Sequence, residues 1–271
     1  MTTVLSASDL EEMNALEWYH SIELAPGVKT KGYPWGPSVW EPIREQLDKI
    51  DFRGKRVLDV ASWDGMWAFE AEKRGASYVV ASDYFPARHS DEQNGLKTFN
   101  FAKRILNSRV TFKSCSIYKL ETLGEQFDII TNFGLIYHLR HPTLALDQCR
   151  LALKEGGLCL VETAVIVDKR DENASYIELD NNKIYEDGTT WCAHTNRAMQ
   201  IAMDGAYLRP ESHTVLSIQR PEIGVGRGFW VGRAFSGVNH HHYLAYPGLE
   251  QFYAPIPGAR AALNVPGKVS E

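Results

Sequence analysis

The sequence is poor in cysteine and has no long apolar segment. None of its four cysteines shows C-x-x-C spacing, so we expect buried apolar side chains rather than disulfides or metal ligands. These residues are Cys115, Cys149, Cys159 and Cys192. No apolar run approaches the ~20 residues that cross a bilayer, and residues 1–16 are polar and acidic where a secretory signal would be basic and then apolar. We therefore expect a cytoplasmic protein with no membrane contact and no metal site.

Net charge is also small. The 271 residues carry a formal charge of −5 and have a pI near 6.0, which provides no general attraction for nucleic acid. The length suffices for one large domain with attachments. The composition therefore gives no support to a polynucleotide partner, although a local basic patch is possible. A homo-oligomer is also possible.

Residues 56–83 carry the most informative pattern, RVLDVASWDGMWAFEAEKRGASYVVASD. A β-prone run ends near Val60, a turn follows, and residues 66–73 have helical spacing before a second apolar run that leads to Asp83. In a parallel sheet such a turn lies at the carboxyl edge, where backbone amides and a helix N-terminus can meet a ligand. Only Gly65 occupies the turn, whereas a pyrophosphate site requires G-x-G-x-x-G. The pattern favours a nucleoside without phosphates.

Strands alternate with helices along the chain. The expected strands are residues 55–61, 78–82, 109–114, 127–132 and 157–163, and the expected helices are 66–74, 93–107, 117–124 and 142–153. This alternation predicts an α/β fold, Rossmann-like and doubly wound, with helices on both faces of a mostly parallel sheet. An antiparallel pair over residues 215–218 and 228–234 would complete seven strands.

The turn and its flanks resemble the class I S-adenosylmethionine-dependent methyltransferases. The first motif of that family is D-x-G-x-G-x-G, and residues 59–65 read DVASWDG, which keeps the leading acid and the last glycine. Residues 153–162, LKEGGLCLVE, resemble the family's L-x-x-G-G-x-L-x-x-E turn into the fifth strand. The resemblance covers roughly residues 40–235 and implies S-adenosyl-L-methionine as the cofactor.

Three regions are expected. Residues 1–37 contain a short amphipathic helix and Pro/Gly punctuation and would form a lid or substrate-capping segment. Residues 38–236 would form the class I methyltransferase domain, with Ser38 capping its first helix and an insert at about 164–195. Residues 237–271 are an irregular tail, and we interpret the triple histidine at 240–242 as a solvated or interface loop.

The resemblance also implies a donor site. Eight residues are expected to bind the donor: Asp59, Ser62 and Gly65 at its amino-acid end, Asp83 and Tyr84 at its ribose, Ser116 and Ile117 at its adenine, and Asn132 at its amino group. Two of them have a structural alternative, in which Asp59 caps the turn and Ile117 packs in the core.

Methyl transfer is an in-line displacement, so catalysis depends mainly on positioning, and a base is needed only if the acceptor loses a proton. Of the segment after the fourth strand, Tyr137 would shape the pocket and His138 would be the general base, because imidazole titrates near neutrality. The alternative for His138 is a structural hydrogen bond. The expected acceptor-binding residues are Trp35, Trp40, Arg140, Glu162, Trp191, His194 and Arg227, with Arg209 as a further candidate.

A narrower resemblance concerns the bacterial tRNA wobble-uridine carboxymethyltransferase family. Residues 134–142, GLIYHLRHP, and residues 161–166, VETAVI, are similar to it, and Arg227 falls where that family places an arginine before its last strand. Those enzymes use a carboxylated donor, held partly by a lysine before a tryptophan, whereas Val39 precedes Trp40 here. A buried carboxylate without that cation would cost about 2–5 kcal/mol, so plain S-adenosylmethionine is the expected donor.

The acceptor is the least determined part of the prediction. Seven tryptophans are many for one domain, and a π-rich pocket suits a planar or aromatic molecule. The first hypothesis is therefore a small-molecule methyltransferase. The second is a tRNA wobble-uridine (carboxy)methyltransferase, and the third is a non-catalytic S-adenosylmethionine-binding module.

Overall fold

The computed structural model describes residues 5–84, 90–167, 171–180, 184–186, 188–239 and 248–252, with the backbone alone for residues 90–94. The helices are α1 (Ala7–Ala15), α2 (Pro37–Leu47), α3 (Met66–Lys73), α4 (Ser90–Leu106), α5 (Pro142–Ala152) and α6 (Asn196–Gly205). The strands are β1 (Glu23–Ala25), β2 (Val28–Lys29), β3 (Arg56–Val60), β4 (Tyr78–Asp83), β5 (Thr111–Ser114), β6 (Phe127–Phe133), β7 (Leu153–Ile166), β8 (Ile177–Leu179), β9 (Cys192–Thr195), β10 (Leu208–Arg220) and β11 (Val225–Ala234). Short 3₁₀ helices cover Ile117–Leu123, Ile136–His138 and Leu249–Phe252. In the part of the chain that is described, no helix has the length and apolar character needed to cross a membrane.

One large sheet organises the domain. Seven strands lie side by side in the order β10-β11-β7-β6-β3-β4-β5, and β9 joins β7 with β8 beyond it. The strands from β3 to β7 run parallel, whereas β11 is antiparallel to both of its neighbours. The prediction of a mostly parallel α/β fold is confirmed. Within the described residues, β8 and β9 extend the sheet beyond the seven strands predicted.

Hydrophobic cores fill both faces of the sheet. Consecutive residues of the central strands enter different cores: Val57 and Leu58, Val79 and Val80, Ile129 and Ile130. Helices α2, α3 and α4 cover the first face, and α5 and α6 cover the second. Because side chains of a strand alternate between faces, strands covered on both sides read as continuous apolar runs. The polar strand ends are left at the carboxyl edge.

The N-terminal segment is anchored to the domain. Trp18, Ile22 and Leu24 are buried in the first core, and the Trp18 indole N–H donates to the carbonyl of Met13 at 2.9 Å. Strands β1 and β2 pair only with each other. The expected capping segment thus packs through its own apolar residues, and its action as a lid stays a prediction.

The start of α2 differs from the prediction, because Ser38 does not cap it. Gly36 occupies the N-cap and Pro37 opens the helix, where the N–H that proline lacks has no helical partner in any case. The Ser38 hydroxyl donates instead to the carbonyl of Trp35 at 2.7 Å. A Cβ on Gly36 would lie 2.1 Å from the Trp40 ring, so glycine allows that ring to fold over the helix start.

Two further elements differ. Residues 117–124, predicted as a helix, form a 3₁₀ helix that is broken at Lys119, where φ is −144°. Strand β10 runs far beyond the predicted residues 215–218 because it pairs along the whole of β11. The triple histidine at 240–242 lies outside the described residues.

Candidate active site

A cavity of about 290 Å³ opens at the carboxyl edge of the parallel strands. Asp83 at the end of β4, Gly134 after β6 and Glu162 of β7 line one side of it. Tyr19 of the N-terminal segment and Trp40 of α2 line the other. Open α/β sheets bind ligands in crevices at this edge, and the volume is at the lower end of the range for small-molecule sites.

A larger groove of about 1,040 Å³ lies between α2 and α3 on the outer surface. Charged side chains line it, and some are paired with one another, as Arg44 and Arg74 are with Glu70. It includes none of the residues at the carboxyl ends of β3, β4 or β6. We therefore assign the functional site to the smaller cavity.

The turn between β3 and α3 holds two non-glycine residues in the left-handed region. Ala61 has a φ of 54° and Trp63 a φ of 47°, at the positions where D-x-G-x-G-x-G has glycine. Such backbone costs on the order of 1 kcal/mol for a non-glycine residue. Gly65, with a φ of 85°, stays glycine because a Cβ there would lie 2.6 Å from the Phe99 ring. The chain keeps the backbone path of the motif despite this cost, which points to a functional constraint.

Two backbone amides hold Asp83 at the cavity wall. Its carboxylate accepts a hydrogen bond from the N–H of Trp63 at 2.9 Å and one from the N–H of Tyr84 at 2.7 Å. Burial raises the pKa of Asp83, and the two amides oppose that shift. Each carboxylate oxygen can accept a second hydrogen bond. The side chain therefore suits the expected contact with ribose hydroxyls.

The residues expected around the adenine lie beside Asp83. The N–H of Cys115 donates to the carbonyl of Asp83 at 2.9 Å, which brings the end of β5 next to the end of β4. Ser116 begins the following 3₁₀ helix and caps it with its hydroxyl. Ile117 is half-buried against the second core, and Tyr84 is 58% exposed. Topology thus brings these residues to one edge of the sheet, but Tyr84, Ser116 and Ile117 do not line the cavity.

Ser62 and Asp59 lie beneath the turn. The buried Ser62 hydroxyl has no hydrogen-bond partner among the described residues, but Ser62 does not line the cavity, so its contact with the donor stays a prediction. Asp59 accepts the Thr131 hydroxyl at 2.7 Å through one oxygen, and its other oxygen is buried with no hydrogen-bond partner among the described residues. Burial raises the pKa of Asp59 to about 7. Asp59 does not line the cavity, which favours the structural alternative, in which it caps the turn.

Asn132 lies in the core rather than in the cavity. Its side chain is fully buried, with the amide nitrogen 3.8 Å from the Cys149 sulfur of α5. Its neighbour Phe133 lines the cavity instead, because successive residues of a strand face opposite sides. This orientation argues against the expected contact of Asn132 with the amino group of the donor.

Aromatic rings line much of the cavity besides Phe133: Tyr19, Trp35, Trp40, Trp63, Trp67 and Tyr137. The Tyr19 ring is central, with its centroid 5.8 Å from that of Trp35 and 5.9 Å from that of Trp63. Trp35 is 47% exposed and lies at the rim, whereas Trp40 is buried. The two tryptophans expected to bind the acceptor are therefore in one wall, together with four further rings.

Glu162 and Arg227 form a buried ion pair in the cavity wall beside Tyr137. Arg227 donates from Nε and Nη2 to the two carboxylate oxygens at 2.5 and 2.6 Å. Burial alone lowers the pKa of Arg227, but the charge and hydrogen bonds of Glu162 raise it well above its ordinary value. The N–H of Gly134 donates to the same carboxylate at 3.1 Å, and the guanidinium lies 4.7 Å from the centre of the Tyr137 ring. The positive charge is thus compensated within the protein.

Tyr137 and His138 lie side by side in the cavity wall, with ring centroids 4.0 Å apart. The N–H of Tyr137 donates to the Thr163 hydroxyl at 3.1 Å. His138 Nδ1 is 3.0 Å from the carbonyl oxygen of Thr189, a neutral partner. The structure therefore brings both residues expected at the transfer site to the cavity.

Other residues expected at the pocket lie elsewhere. Arg140 stacks over Trp191 at 4.9 Å, and neither lines the cavity. His194 is buried in β9, where desolvation lowers its pKa to about 4. Arg209 is at the opposite edge of the sheet, stacked over Phe235 at 4.1 Å, because β10 starts at the amino ends of the parallel strands. The expectation for Arg209 is wrong, and these positions argue against direct acceptor contact for the other three.

Two residues that the sequence analysis did not single out meet at the cavity. The N–H of His20 donates to one oxygen of Asp64 at 2.8 Å, and His20 Nδ1 contacts the other oxygen. Both residues are buried, and His20 lines the cavity. They are 44 positions apart in sequence, so no local spacing connects them. The only local feature in the sequence that could have pointed to His20 is its position directly after the aromatic residues Trp18 and Tyr19.

The strand order, the left-handed turn after β3 and the acid that ends β4 together define a Rossmann-like domain of the S-adenosylmethionine-dependent methyltransferase class. The family described as "Methyltransferase domain" matches residues 35–217, more than half of the chain. The chain belongs to this family. The expected class and the expected cofactor, S-adenosylmethionine, are confirmed.

The curated relatives include enzymes named for tRNA modification and enzymes named for ubiquinone biosynthesis. A tRNA U34 carboxymethyltransferase of Campylobacter hominis is 28% identical over 138 residues, which cover 50% of this chain and 45% of the relative. A ubiquinone biosynthesis O-methyltransferase of Cereibacter sphaeroides is 28% identical over 135 residues, which cover 46% of this chain and 49% of the relative. The chain thus spans about half the length of these curated relatives.

Solved structures share the fold. The N-terminal domain of EvdMO1, crystallised with SAH and D-fucose, superposes with a TM-score of 0.59 at 15% identity, covering 84% of this chain and 95% of that one. A 1,6-didemethyltoxoflavin-N1-methyltransferase of Burkholderia thailandensis superposes with a TM-score of 0.54 at 15% identity, covering 74% and 79%. At these identities the likeness concerns the fold alone.

Proposed function

We propose that this chain transfers the methyl group of S-adenosylmethionine to a planar or aromatic small molecule bound in the cavity. The observation that carries this proposal is the aromatic wall around Tyr19. Flat π surfaces bind planar rings by stacking. The cavity has a volume of about 290 Å³, which suits a small planar molecule. The curated relatives named for ubiquinone biosynthesis support a small-molecule acceptor.

The donor contacts in this proposal come from the carboxyl edge. Asp83 accepts hydrogen bonds from the ribose hydroxyls, while Ser62 and the backbone of its turn hold the amino-acid end. When bound, S-adenosylmethionine supplies an activated methyl group on a sulfonium. The chain orients the acceptor between Trp35 and Tyr137 and keeps water away with the rings of the wall.

The expected preference for the plain donor has a structural basis. Val39 is buried at the cavity wall where the related carboxymethyltransferases have lysine. Arg227, the other expected cation, is already paired with Glu162 through two hydrogen bonds. A donor carboxylate would therefore have to be buried without a free cation among these residues, which costs several kcal/mol.

A tRNA wobble uridine is the second candidate acceptor, because curated relatives carry that name. A base turned out of its strand is planar and would suit the same aromatic wall. The net charge of −5 disfavours it, because tRNA binding draws most of its affinity from cationic contacts to phosphates.

Methyl-labelled S-adenosylmethionine, incubated with separate small-molecule and tRNA fractions, tests the proposal. We expect label in the small-molecule fraction, and a loss of that label in Asp83→Ala, which serves as the donor-site control. Label in tRNA would contradict the proposal. Label in neither fraction, with donor binding intact by calorimetry, would indicate the non-catalytic module instead.

A further inference from the structure

We propose that His20 is the general base of the transfer and that Asp64 is its positioning residue. The inference rests on the proposed function, because it applies to an acceptor that gives up a proton from oxygen or nitrogen. It assigns the base to the N-terminal segment rather than to His138 of the segment after β6.

Asp64 fixes His20 at two points. One carboxylate oxygen accepts the backbone N–H of His20 at 2.8 Å, and the other contacts ring Nδ1. Asp64 has no exposed surface and His20 is 6% exposed. Within the described ranges no hydrogen bond engages Nε2 of His20, and the ring lines the cavity. Nε2 is therefore the nitrogen available to a bound acceptor.

A carboxylate at Nδ1 prepares an imidazole for proton transfer in two ways. It favours the tautomer with the proton on Nδ1, which leaves a lone pair on Nε2, and it stabilises the imidazolium that forms. The His20 ring also lies between Trp40, at 5.1 Å, and Trp67, at 6.3 Å between centroids. These rings hold its plane and limit the access of water.

His138 has a different environment. Its Nδ1 meets the neutral carbonyl of Thr189, whereas His20 Nδ1 meets the carboxylate of Asp64. A hydrogen bond to a charged acceptor stabilises an imidazolium more than one to a neutral acceptor. The carboxylate contact at Nδ1 is the observation that places the base at His20, and we assign His138 to the wall of the acceptor pocket.

The proton and the electrons balance as follows. The proton on the acceptor oxygen or nitrogen moves to His20 Nε2, while the electron pair of that atom forms the bond to the methyl carbon. The carbon–sulfur bond breaks with its electron pair on sulfur, which leaves a neutral thioether. His20, now charged and paired with Asp64, returns the proton to solvent after the product leaves.

Other titratable groups surround His20, and a rate profile alone does not isolate it. Those facing it are Asp64 from the turn, the neighbouring Tyr19 and, across the cavity, Asp83, Tyr137, His138, Glu162 and Arg227. Burial raises the pKa of Tyr19 above its ordinary range, so its hydroxyl stays protonated. Asp59, with a pKa raised by burial to about 7, lies beneath the turn. The ring of His20 is therefore best followed directly.

NMR of the ¹⁵N-histidine-labelled protein tests the tautomer without any turnover. His20→Gln identifies the His20 signals among those of the nine histidines. We expect neutral His20 to carry its proton on Nδ1. In Asp64→Asn the single amide oxygen stays with the backbone N–H of His20, so the amide NH₂ faces Nδ1 and the proton moves to Nε2. A wild-type ring with its proton on Nε2, or one charged throughout the pH range, overturns the proposal.

Kinetics provide the second test. We expect His20→Gln and Asp64→Asn to lower kcat by roughly 10²–10⁴-fold and to abolish its rise with pH. Affinity for the demethylated donor, measured by calorimetry, should stay within about threefold. His213→Gln, at an exposed position of β10, is the matched control and should retain both rate and profile.

The remaining outcomes separate this proposal from the proposed function. Weaker donor binding in His20→Gln with an unchanged pH profile would identify a structural role and overturn the assignment, as would a wild-type rate that does not depend on pH. If tRNA takes the label, the proposed acceptor is wrong. The same variants assayed on tRNA then still decide whether His20 is the base.

Discussion

Arg227 of β11 and Glu162 of β7 face each other from neighbouring strands, joined by hydrogen bonds of 2.5 and 2.6 Å. Both side chains are buried, and the same carboxylate accepts the N–H of Gly134. A guanidinium in this position is part of the wall rather than a free anion site. We expect both the stability of the domain and the choice of donor to depend on this pair.

Breaking the pair should destabilise the protein. We expect Glu162→Gln to lower the free energy of unfolding by about 3–5 kcal/mol, because it leaves the charge of Arg227 buried without its partner. Replacing both residues, as Glu162→Leu with Arg227→Met, should restore much of that loss. Denaturant titrations give these values, and Asp51→Asn, in an exposed pair with Arg53, serves as the control with little effect. If the stability losses of the two single variants simply add up in the double variant, this account is contradicted.

The donor preference can be measured by competition. We expect plain S-adenosylmethionine to bind more tightly than its carboxylated form, because Val39 provides no cation. Val39→Lys should shift the preference towards the carboxylated donor, while Val39→Met, similar in length but uncharged, should not. Tighter binding of the carboxylated form by the unmodified chain would refute the preference and favour the tRNA hypothesis.

Asp83→Ala should abolish measurable donor binding. Two charge-assisted hydrogen bonds to ribose are worth about 1.5–3 kcal/mol each, so the loss is on the order of 10²-fold or more. Because burial raises the pKa of Asp83, affinity should also fall as the solution is made acidic. Asp128→Asn, at the amino end of β6, is the matched control. Calorimetry that found Asp83→Ala within about threefold of the unmodified chain would exclude the ribose contact.

The buried side chains of Asp59 and His194 should make the stability of the protein depend on pH in opposite directions. Burial raises the pKa of Asp59 from 3.8 to about 7, so its contribution is present below pH 4 and is lost as pH rises to about 7. Burial lowers the pKa of His194 from 6.5 to about 4, so its contribution is lost as pH falls through that range. Relative to the unmodified chain, Asp59→Asn should gain stability at neutral pH and His194→Gln at acid pH. Denaturant titrations between pH 4 and 8 measure the free energy of unfolding of both variants and of the unmodified chain. If the dependence of this free energy on pH is the same in all three, neither pKa is shifted.

His138→Ala separates the two candidate bases. If His20 takes the proton, loss of the His138 ring should mainly raise KM for the acceptor and leave the pH profile of kcat unchanged. A pH–rate series on this variant beside His20→Gln makes the comparison. A fall in kcat of roughly 10²–10⁴-fold together with a lost pH dependence in His138→Ala would return the base to His138.

Local patterns in the sequence were sufficient for the fold and for the position of Asp83 at the carboxyl edge of the sheet. Apolar runs bounded by turn residues identified the strands that end at Val60 and Asp83, since burial on both faces demands continuous apolar residues. The position of Asp83 directly after its strand predicted that it lies at the carboxyl edge. The boundaries of the elements were harder to predict from the sequence. Strand β10 is long because it pairs along β11, and no local pattern in the sequence indicates that pairing.

Tertiary structure alone decided which polar groups share the cavity. Asn132 and Phe133 are neighbours in sequence, yet the alternation of the strand sends one into the core and the other to the cavity. Asp64 and His20, 44 positions apart, and Glu162 and Arg227, 65 positions apart, meet only because the segments that carry them fold together. Periodicity reports which face of its own element a residue occupies. It contains no information about which other element lies opposite, and that is the relation on which an ion pair or a catalytic pair depends.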